Sequence, residues 1–215
     1  MIPKIIHQIY FDLGIGNIEN NKIFFESHNA FKSLKDYKYI LWNKEECDNL
    51  VKLNYNKYYD FYKNFRFEIQ KIDFIRFCIL HKYGGVYVDL DFLPLKNFDN
   101  LLVSDIIFHN IRKVQPNYSY IENDFMASIP NLIFWKKLMN YCFTEYNNKK
   151  KIKIYDMWKG RFILQTTGPK LVSRFVKNNY NYIKPITITY TKWNKDNQSN
   201  YFFKDFKLNT WVKKN

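Results

Sequence analysis

Residues 73–91 read D-F-I-R-F-C-I-L-H-K-Y-G-G-V-Y-V-D-L-D, and the change of rhythm inside them decides the fold. Ile69, Ile72, Ile75 and Ile79 recur at helical spacing, which predicts a helix over Glu68 to Lys82 with one apolar face. Gly84 suits a left-handed C-terminal cap. Val86 to Asp89 is then a short apolar strand whose end carries two acids, Asp89 and Asp91. Residues i and i+2 of an extended chain point the same way, so both carboxylates can converge on one ion. Oxygen donors suit Mg²⁺ or Mn²⁺, which keep open positions for phosphate oxygens. An isolated Asp-x-Asp is often no more than two exposed acids. Here Gly84, Gly85, Val86, Tyr87 and Val88 bury the strand, so its end is an edge where a ligand can sit.

Asp73 and Arg76 lie three residues apart and are neighbours on one helix face. A structural ion pair is the plain explanation. Both nevertheless interrupt an apolar helix beside the Asp-x-Asp strand, and buried charges need partners. The hydroxyls of a sugar ring, which both donate and accept, would satisfy a carboxylate and a guanidinium together.

Outward from this block, Ile5 to Tyr10 reads as a buried first strand, loosened after its end by Gly14 and Gly16. A helix near 21–35, a strand from Tyr37 to Trp42 and a short helix from Glu45 to Lys52 follow. Tyr55 to Phe65 is aromatic and helical, placed to pack over a cleft. Ile106 to Phe108 and Phe125 to Ala127 are further strands, and Asn131 to Tyr146 a helix. The lysine run at 149–153 marks a loop, and Lys159-Gly160-Arg161 a solvated one. Gly168-Pro169 opens a helix reaching Lys177, since proline suits the first turn. The tail from Tyr201 to Trp211 is extended. Alternating strands and helices imply an α/β fold, a mostly parallel sheet covered by helices, with residues 1–215 as one domain.

Composition narrows the function classes. The chain has 215 residues, 47% hydrophobic and 20% aromatic, enough for a well-buried core and incompatible with a disordered chain. No apolar run reaches the roughly 20 residues of a membrane span. The N-terminus lacks the apolar core and cleavage site of a signal peptide, so a cytoplasmic location is expected. Cys47, Cys78 and Cys142 are odd in number and widely spaced, which argues against a disulfide framework or a zinc site. The sequons at Asn117 and Asn197 are expected to stay unmodified without a secretory route. The net charge of +14 has two readings. One is a polyanionic partner, including peripheral contact with an anionic membrane; the other is the lysine-rich composition of an AT-rich genome. His28, His81 and His109 show no partner spacing and read as structural. Trp42, Trp135, Trp158 and Trp193 read as core or rim.

The order of segments resembles glycosyltransferase family 32, the Asp-x-Asp sugar transferases that include an initiating α-1,6-mannosyltransferase and capsular polysaccharide enzymes. The matching pieces are I-P-K-I-I-H-Q-I-Y at 2–10, the block at 73–91, N-D-F-M-A-S-I-P at 123–130, T-T-G-P at 166–169 and T-W at 210–211. The resemblance implies a GT-A (Rossmann-like) fold and retaining transfer of a hexose from a UDP-sugar or GDP-mannose. The acceptor would be a glycan, a lipid-linked sugar or a protein, and the cofactor Mn²⁺ or Mg²⁺. It implies that His7, Gln8 and Tyr10 line the nucleotide site, with Tyr10 stacking on the base and Leu90 beside it. Asp73 and Arg76 would hold the donor sugar, Asp89 would contact ribose or sugar, and Asp91 would bind the metal. Asn123 and Asp124 would lie beside the transferred sugar, and Thr167 and Gly168 would border the acceptor. In the tail, Asp205 or Lys204 stands where the family often has histidine. Trp211 would reach the β-phosphate, with Asn209 or Thr210 near the metal.

Two rival classes share parts of this pattern. A basic, aromatic-rich protein can bind single-stranded nucleic acid, but a buried Asp-x-Asp strand would repel phosphate, so no specific nucleic-acid partner is expected. A metal-dependent nucleotidyltransferase or nucleotide hydrolase would use the same acids and differ in its products.

Overall fold

The computed structural model describes residues 1–115, 118–149, 159–179, 188–192 and 202–208. Asn117, Trp158, Trp193, Asn197, Asn209, Thr210 and Trp211, and the lysine run beyond Lys149, lie outside the described residues.

The first half builds three parallel strands. β1 (Ile5–Ile9) leads to α1 (Lys22–Lys32), whose Asn21 cap accepts from the N–H groups of Ile23 and Phe24. β2 (Lys38–Trp42) follows, then α2 (Lys44–Asn54), opened by a reciprocal capping box between Asn43 and Glu46. The aromatic stretch forms a 3₁₀ turn at Asn56–Tyr58 and the short α3 (Tyr59–Lys63). It does not cover the cleft that Asp73 and Arg76 line. Phe61 packs edge-to-face on Phe65, Phe74, Phe143 and Tyr146, so these rings extend the core beside the next helix.

That helix, α4 (Glu68–Tyr83), is buried on more than one face: every residue from Ile72 to His81 is buried. It packs against α2, α5 (Ile133–Lys149), β3 (Gly85–Val88) and β6 (Tyr118–Ser128). Gly84 departs from the expected left-handed cap. Its φ of 63° is positive, but its ψ of −153° belongs to a region essentially restricted to glycine. A Cβ there would lie 2.7 Å from Pro130 N, and one on Gly85 would lie 2.5 Å from Ile5 O. The two glycines thus let β3 enter the sheet against β1.

β4 (Phe92–Pro94), β5 (Ile106–Gln115), α6 (Lys159–Thr166), α7 (Pro169–Asn178), β7 (Ile188–Lys192) and β8 (Phe203–Asp205) complete the described elements. Lys159-Gly160-Arg161, expected as a loop, opens α6. The six-stranded sheet has the order β2-β1-β3-β6-β5-β7. β6 runs antiparallel to β3 and β5, whereas β1–β2, β1–β3 and β5–β7 are parallel, so β6 alone is reversed. The sheet is mostly parallel, as expected. One apolar cluster joins it to α2, α4, α5 and α7; a second joins Ile6, Val86 and Val88 to Phe31, Phe92 and Phe203 on the other face. β8 pairs with β4 in a separate two-stranded sheet, which brings the tail beside Asp91.

Among the described residues, no helix is long and apolar enough to cross a membrane.

Candidate active site

β1 and β3 run parallel and end at the same edge of the sheet, where an open cleft is lined by residues from both halves of the chain. β6 reaches this edge in the opposite direction, and its pairing with β5 slips there. Phe108 faces Met126, yet the next residue, His109, faces Glu122. Three residues of β6, Asn123 to Phe125, therefore bulge out of the β5–β6 ladder, while Phe125 stays paired with Val88 of β3. The bulge puts Asn123 and Asp124 in the cleft wall and leaves the Asn123 carbonyl to accept from Arg76 Nη1 at 2.8 Å.

Arg76 is the centre of the constellation. It is 4% exposed, its Nη1 lies 3.3 Å from Asp73 Oδ1, and its Nη2 lies 3.2 Å from Asp89 Oδ1. Its guanidinium also sits over the Tyr87 ring, whose hydroxyl donates to Asp89 Oδ1. Asp73 is fully engaged: Oδ1 accepts from Asn123 Nδ2 and Oδ2 from Thr167 Oγ1, both at 2.9 Å. Burial pushes the Asp73 carboxyl up, against the pull of Arg76 and these two donors. Burial would lower the Arg76 pKa, but Asp89, Tyr87, Asp73 and Asp124 raise it further.

Asp89 and Asp91 stand where β3 leaves the sheet. The Asp89 N–H donates to the Asp124 carbonyl at 2.8 Å, extending the β3–β6 ladder by one bond. Asp91 is gripped by the tail: its carbonyl accepts from Phe206 N–H and its Oδ2 from Leu208 N–H, both at 2.9 Å. Burial raises Asp89 well above the usual carboxylate range, with Asp91 and Asp124 adding to it and Arg76 opposing. Asp91 is raised by burial, and the Leu208 N–H opposes.

Nine residues expected at the site line the cleft: Tyr10, Asp73, Arg76, Asp89, Leu90, Asp91, Asn123, Asp124 and Gly168. Three do not. His7 is fully buried behind β1, its Nε2 3.0 Å from the Gly84 carbonyl and its Nδ1 accepting from Trp42 Nε1 at 3.1 Å. It holds the glycine turn and does not line the cleft, because it sits inside β1, two residues short of the strand end where Ile9 and Tyr10 line it. Burial lowers its pKa to about 4. Gln8 is also fully buried, donating to Ser27 Oγ and the Asp89 carbonyl and accepting from Tyr39. Thr167 is buried behind Asp73. These two brace cleft residues without lining the cleft. Asn209 and Trp211 lie outside the described residues.

The sequence reading missed Glu122 and a partner for His109, and it left Asp205 open against Lys204. Glu122 and Asp205 both line the cleft, and burial with help from Asp124 pushes each to about 7. The i, i+2 spacing of Glu122 and Asp124 repeats that of Asp89 and Asp91 and was a usable signal. His109 is 1% exposed, with Nδ1 2.9 Å from Asp124 Oδ1. Burial opposes its protonation, but Asp124, Asp205 and Glu122 raise its pKa overall. That partnership is thus not a bystander's, and it depends on the bulge register.

The donor set suits a hard cation. Asp89, Asp91, Glu122, Asp124 and Asp205 crowd carboxylates together, and Asp205 Oδ2 is buried without a hydrogen-bond partner. Among the described residues no three side chains already converge as a ready-made metal cluster. Of these, Asp89 and Asp91 are the two that stand where β3 ends.

Residues 24–108 match the family described as the glycosyltransferase sugar-binding region containing the DXD motif. The chain belongs to the DXD-containing glycosyltransferases. The chain is 33% identical over 178 residues to the mannosyl phosphorylinositol ceramide synthase SUR1 of Saccharomyces cerevisiae, covering 80% of this chain and 41% of SUR1. It is 30% identical to the inositol phosphoceramide mannosyltransferase 2 of Schizosaccharomyces pombe, covering 80% and 46% of the two chains. To an uncharacterised glycosyltransferase, L373, of Acanthamoeba polyphaga mimivirus it is 27% identical, over 83% and 68%. The chain spans less than half the length of the yeast relatives it matches. Among solved structures, the PaToxG glycosyltransferase superposes with a TM-score of 0.59 at 16% identity, over 86% of this chain and 72% of that one. The catalytic domain of alpha-toxin from Clostridium novyi gives 0.57 at 12% identity, over 85% and 74%. The chain therefore has the GT-A fold, as its resemblance to family 32 implied.

Proposed function

We propose that residues 1–215 act as a single catalytic domain that transfers a hexose, with retention, from a nucleotide diphosphate sugar. The observation that carries this reading is the network of Arg76 with Asp73, Asp89 and Asn123, set beside Asp91 at the carboxyl edge of β1 and β3. The base would lie in the apolar end of the cleft, between Ile9, Tyr10, Phe11, Leu13, Ile15 and Phe24. Tyr10 donates its hydroxyl to Gly16 O, which fixes its ring for stacking. Arg76, Asp73 and Asn123 would orient the donor sugar, and Asp89 would accept from a sugar or ribose hydroxyl.

Asp89 and Asp91 would hold Mn²⁺ or Mg²⁺, which would supply positive charge to the leaving diphosphate. The acceptor would enter past Gly168 and Pro169, where the first turn of α7 meets the cleft. Its hydroxyl oxygen bonds to the anomeric carbon as the carbon–phosphate oxygen bond breaks on the same face. The hydroxyl proton passes to the departing phosphate oxygen. Asp124 would face the oxocarbenium-like ring and stabilise its charge. The names of the yeast relatives support mannose as the sugar and an inositol phosphoceramide as the acceptor class.

The cleft's own charge weighs against a nucleic-acid reading, because its lining holds Asp73, Asp89, Asp91, Glu122, Asp124 and Asp205 against Arg76 and Lys207. A thermal-shift panel of UDP- and GDP-sugars, with and without Mn²⁺, tests the donor. A metal-dependent rise with GDP-mannose, followed by GDP release on adding inositol phosphoceramide, is the expected result. Pyrophosphate release instead would move the protein to the nucleotidyltransferases.

A further inference from the structure

The protein carries a second pocket, away from the sheet edge that holds the cleft. It lies at the C-terminal end of α4, lined there by His81 and Lys82, and faced by Asn56 and Lys57 before α3 and by Asn131 and Lys136 at the start of α5. Its chemistry is the inverse of the cleft's. Three lysines and a histidine line it, and no carboxylate does. Lys82 and Lys136 form no ion pair or hydrogen bond among the described residues. Lys57 is only lightly engaged, 3.3 Å from Asn140 Oδ1 and over the Tyr58 ring.

His81 gives the pocket a built floor. It is 8% exposed, and its Nδ1 lies 2.7 Å from the Tyr55 hydroxyl, which also donates to the Cys78 carbonyl at 2.9 Å. One hydroxyl has one proton. With that proton on the Cys78 carbonyl, Nδ1 donates to Tyr55, and Nε2 is the nitrogen left for a ligand. Nε2 has no hydrogen-bond partner among the described residues. The backbone around it is held as well: Asn131 sits at a φ of 60° and donates its N–H to the His81 carbonyl at 2.7 Å.

A helix C-terminus favours nearby cations, which accounts for His81 and Lys82 on α4. It does not account for Lys57 and Lys136, which reach the same space from other elements. Lys136 stands in the first turn of α5, the end of a helix whose dipole favours an anion. We propose that this pocket binds a phosphoryl group, as a phosphate mono- or diester, between His81, Lys82, Lys136 and Lys57. Burial, Lys136 and Lys82 all hold His81 below its ordinary pKa. A bound phosphate would offset those charges and let Nε2 become a donor to it.

The test is an NMR titration of the histidine side chains of the full chain in inorganic phosphate, against chloride at matched ionic strength. The expected result is an upward move of the His81 pKa by about one pH unit, the effect of a close opposite charge. The Lys82→Glu/Lys136→Glu double variant should lose this phosphate response while keeping the sugar-transfer rate. A His81 titration identical in phosphate and chloride overturns the proposal, as does a phosphate response that survives in the double variant. Because the readout is His81 itself, phosphate entering the sugar-donor cleft does not mimic it. The source of the group is read by comparing glycerol 3-phosphate with vesicles containing phosphatidic acid. A response to the free ester supports a soluble ligand, and a response to the vesicles alone supports a lipid headgroup.

Discussion

Arg76 ties three parts of the cleft together: Asp73 on its own helix, Asp89 after β3 and the Asn123 carbonyl on the β6 bulge. A lysine keeps the charge but cannot present separate donors in a fixed fork. Arg76→Lys should therefore lower kcat/KM by on the order of 10²-fold while leaving the fold intact, as checked by steady-state kinetics and circular dichroism. Asp91→Asn removes a charge at the strand end while keeping an acceptor for Leu208 N–H. It should abolish the Mn²⁺-dependent thermal shift; an unchanged shift would remove Asp91 from the metal site. His109 bears on Asp124 through one 2.9 Å contact. His109→Phe should cost roughly tenfold to a hundredfold in kcat with little change in KM, and His109→Asn, which can still donate, should recover part of it. At this scale much was readable from the sequence, because Asp73, Arg76, Asp89 and Asp91 sit within one short stretch whose periodicity sets their directions. Glu122 followed the same i, i+2 rule and was passed over. His109 had no local signal, since its partner lies across a slipped ladder.

At the scale of elements, the glycine pair and the bulge do most to shape the site. Gly85 has a φ of 89°, and a Cβ on it would meet Ile5 O, a backbone atom that cannot swing away. Gly85→Ala should cost about 1–3 kcal/mol from backbone strain alone, with more from the clash. Each kcal/mol lowers Tm by roughly 2–4 °C in a chain of this size, which calorimetry would measure. The register of Phe108 with Met126 but His109 with Glu122 explains why an ordinary strand pattern gave no warning of the site. The sequence marks Ile106–Phe108 and Phe125–Ala127 as apolar runs. The polar extensions of both strands pair across the hairpin, and their pattern alone does not read as strand. The aromatic segment before α4 was misplaced for a related reason: ring composition predicts burial, not which surface receives the rings.

Over the whole molecule, charge is segregated. The chain carries a net +14, yet its cleft gathers six carboxylates, and the second pocket gathers lysines. Burial pushes Glu122 and Asp205 to about 7 from ordinary values of 4.5 and 3.8. A raised carboxylate pKa means that the folded state binds protons more tightly than the unfolded chain, so these groups lower stability as pH rises from their ordinary values to about 7. His7 acts at the other end. Its pKa falls from 6.5 to about 4, so its share of stability is lost as pH drops through that interval. The ligand-free protein should therefore gain Tm on going from pH 8 towards 6.5 and go on gaining below it at a shallower slope, because His7 offsets one of the two carboxyls. Added Mn²⁺ should raise Tm more at pH 8 than at pH 6, because the carboxylates must be ionised to bind it. A Tm that climbs steadily from pH 6 to 8 without metal would contradict this account of the cleft.

The sequence by itself determined the alternation of strands and helices, the mostly parallel sheet and the acidic pair at the end of β3. Those features follow from periodicity, glycine placement and residue spacing, all of which act over a few neighbours. Only the tertiary structure decided that His7 and Gln8 brace the site from behind, that Asp124 is coupled to His109, and that the tail brings Asp205 and Leu208 to Asp91. Those contacts join residues 15 or more positions apart, and which atoms meet depends on register, bulge and burial, quantities that local patterning does not encode.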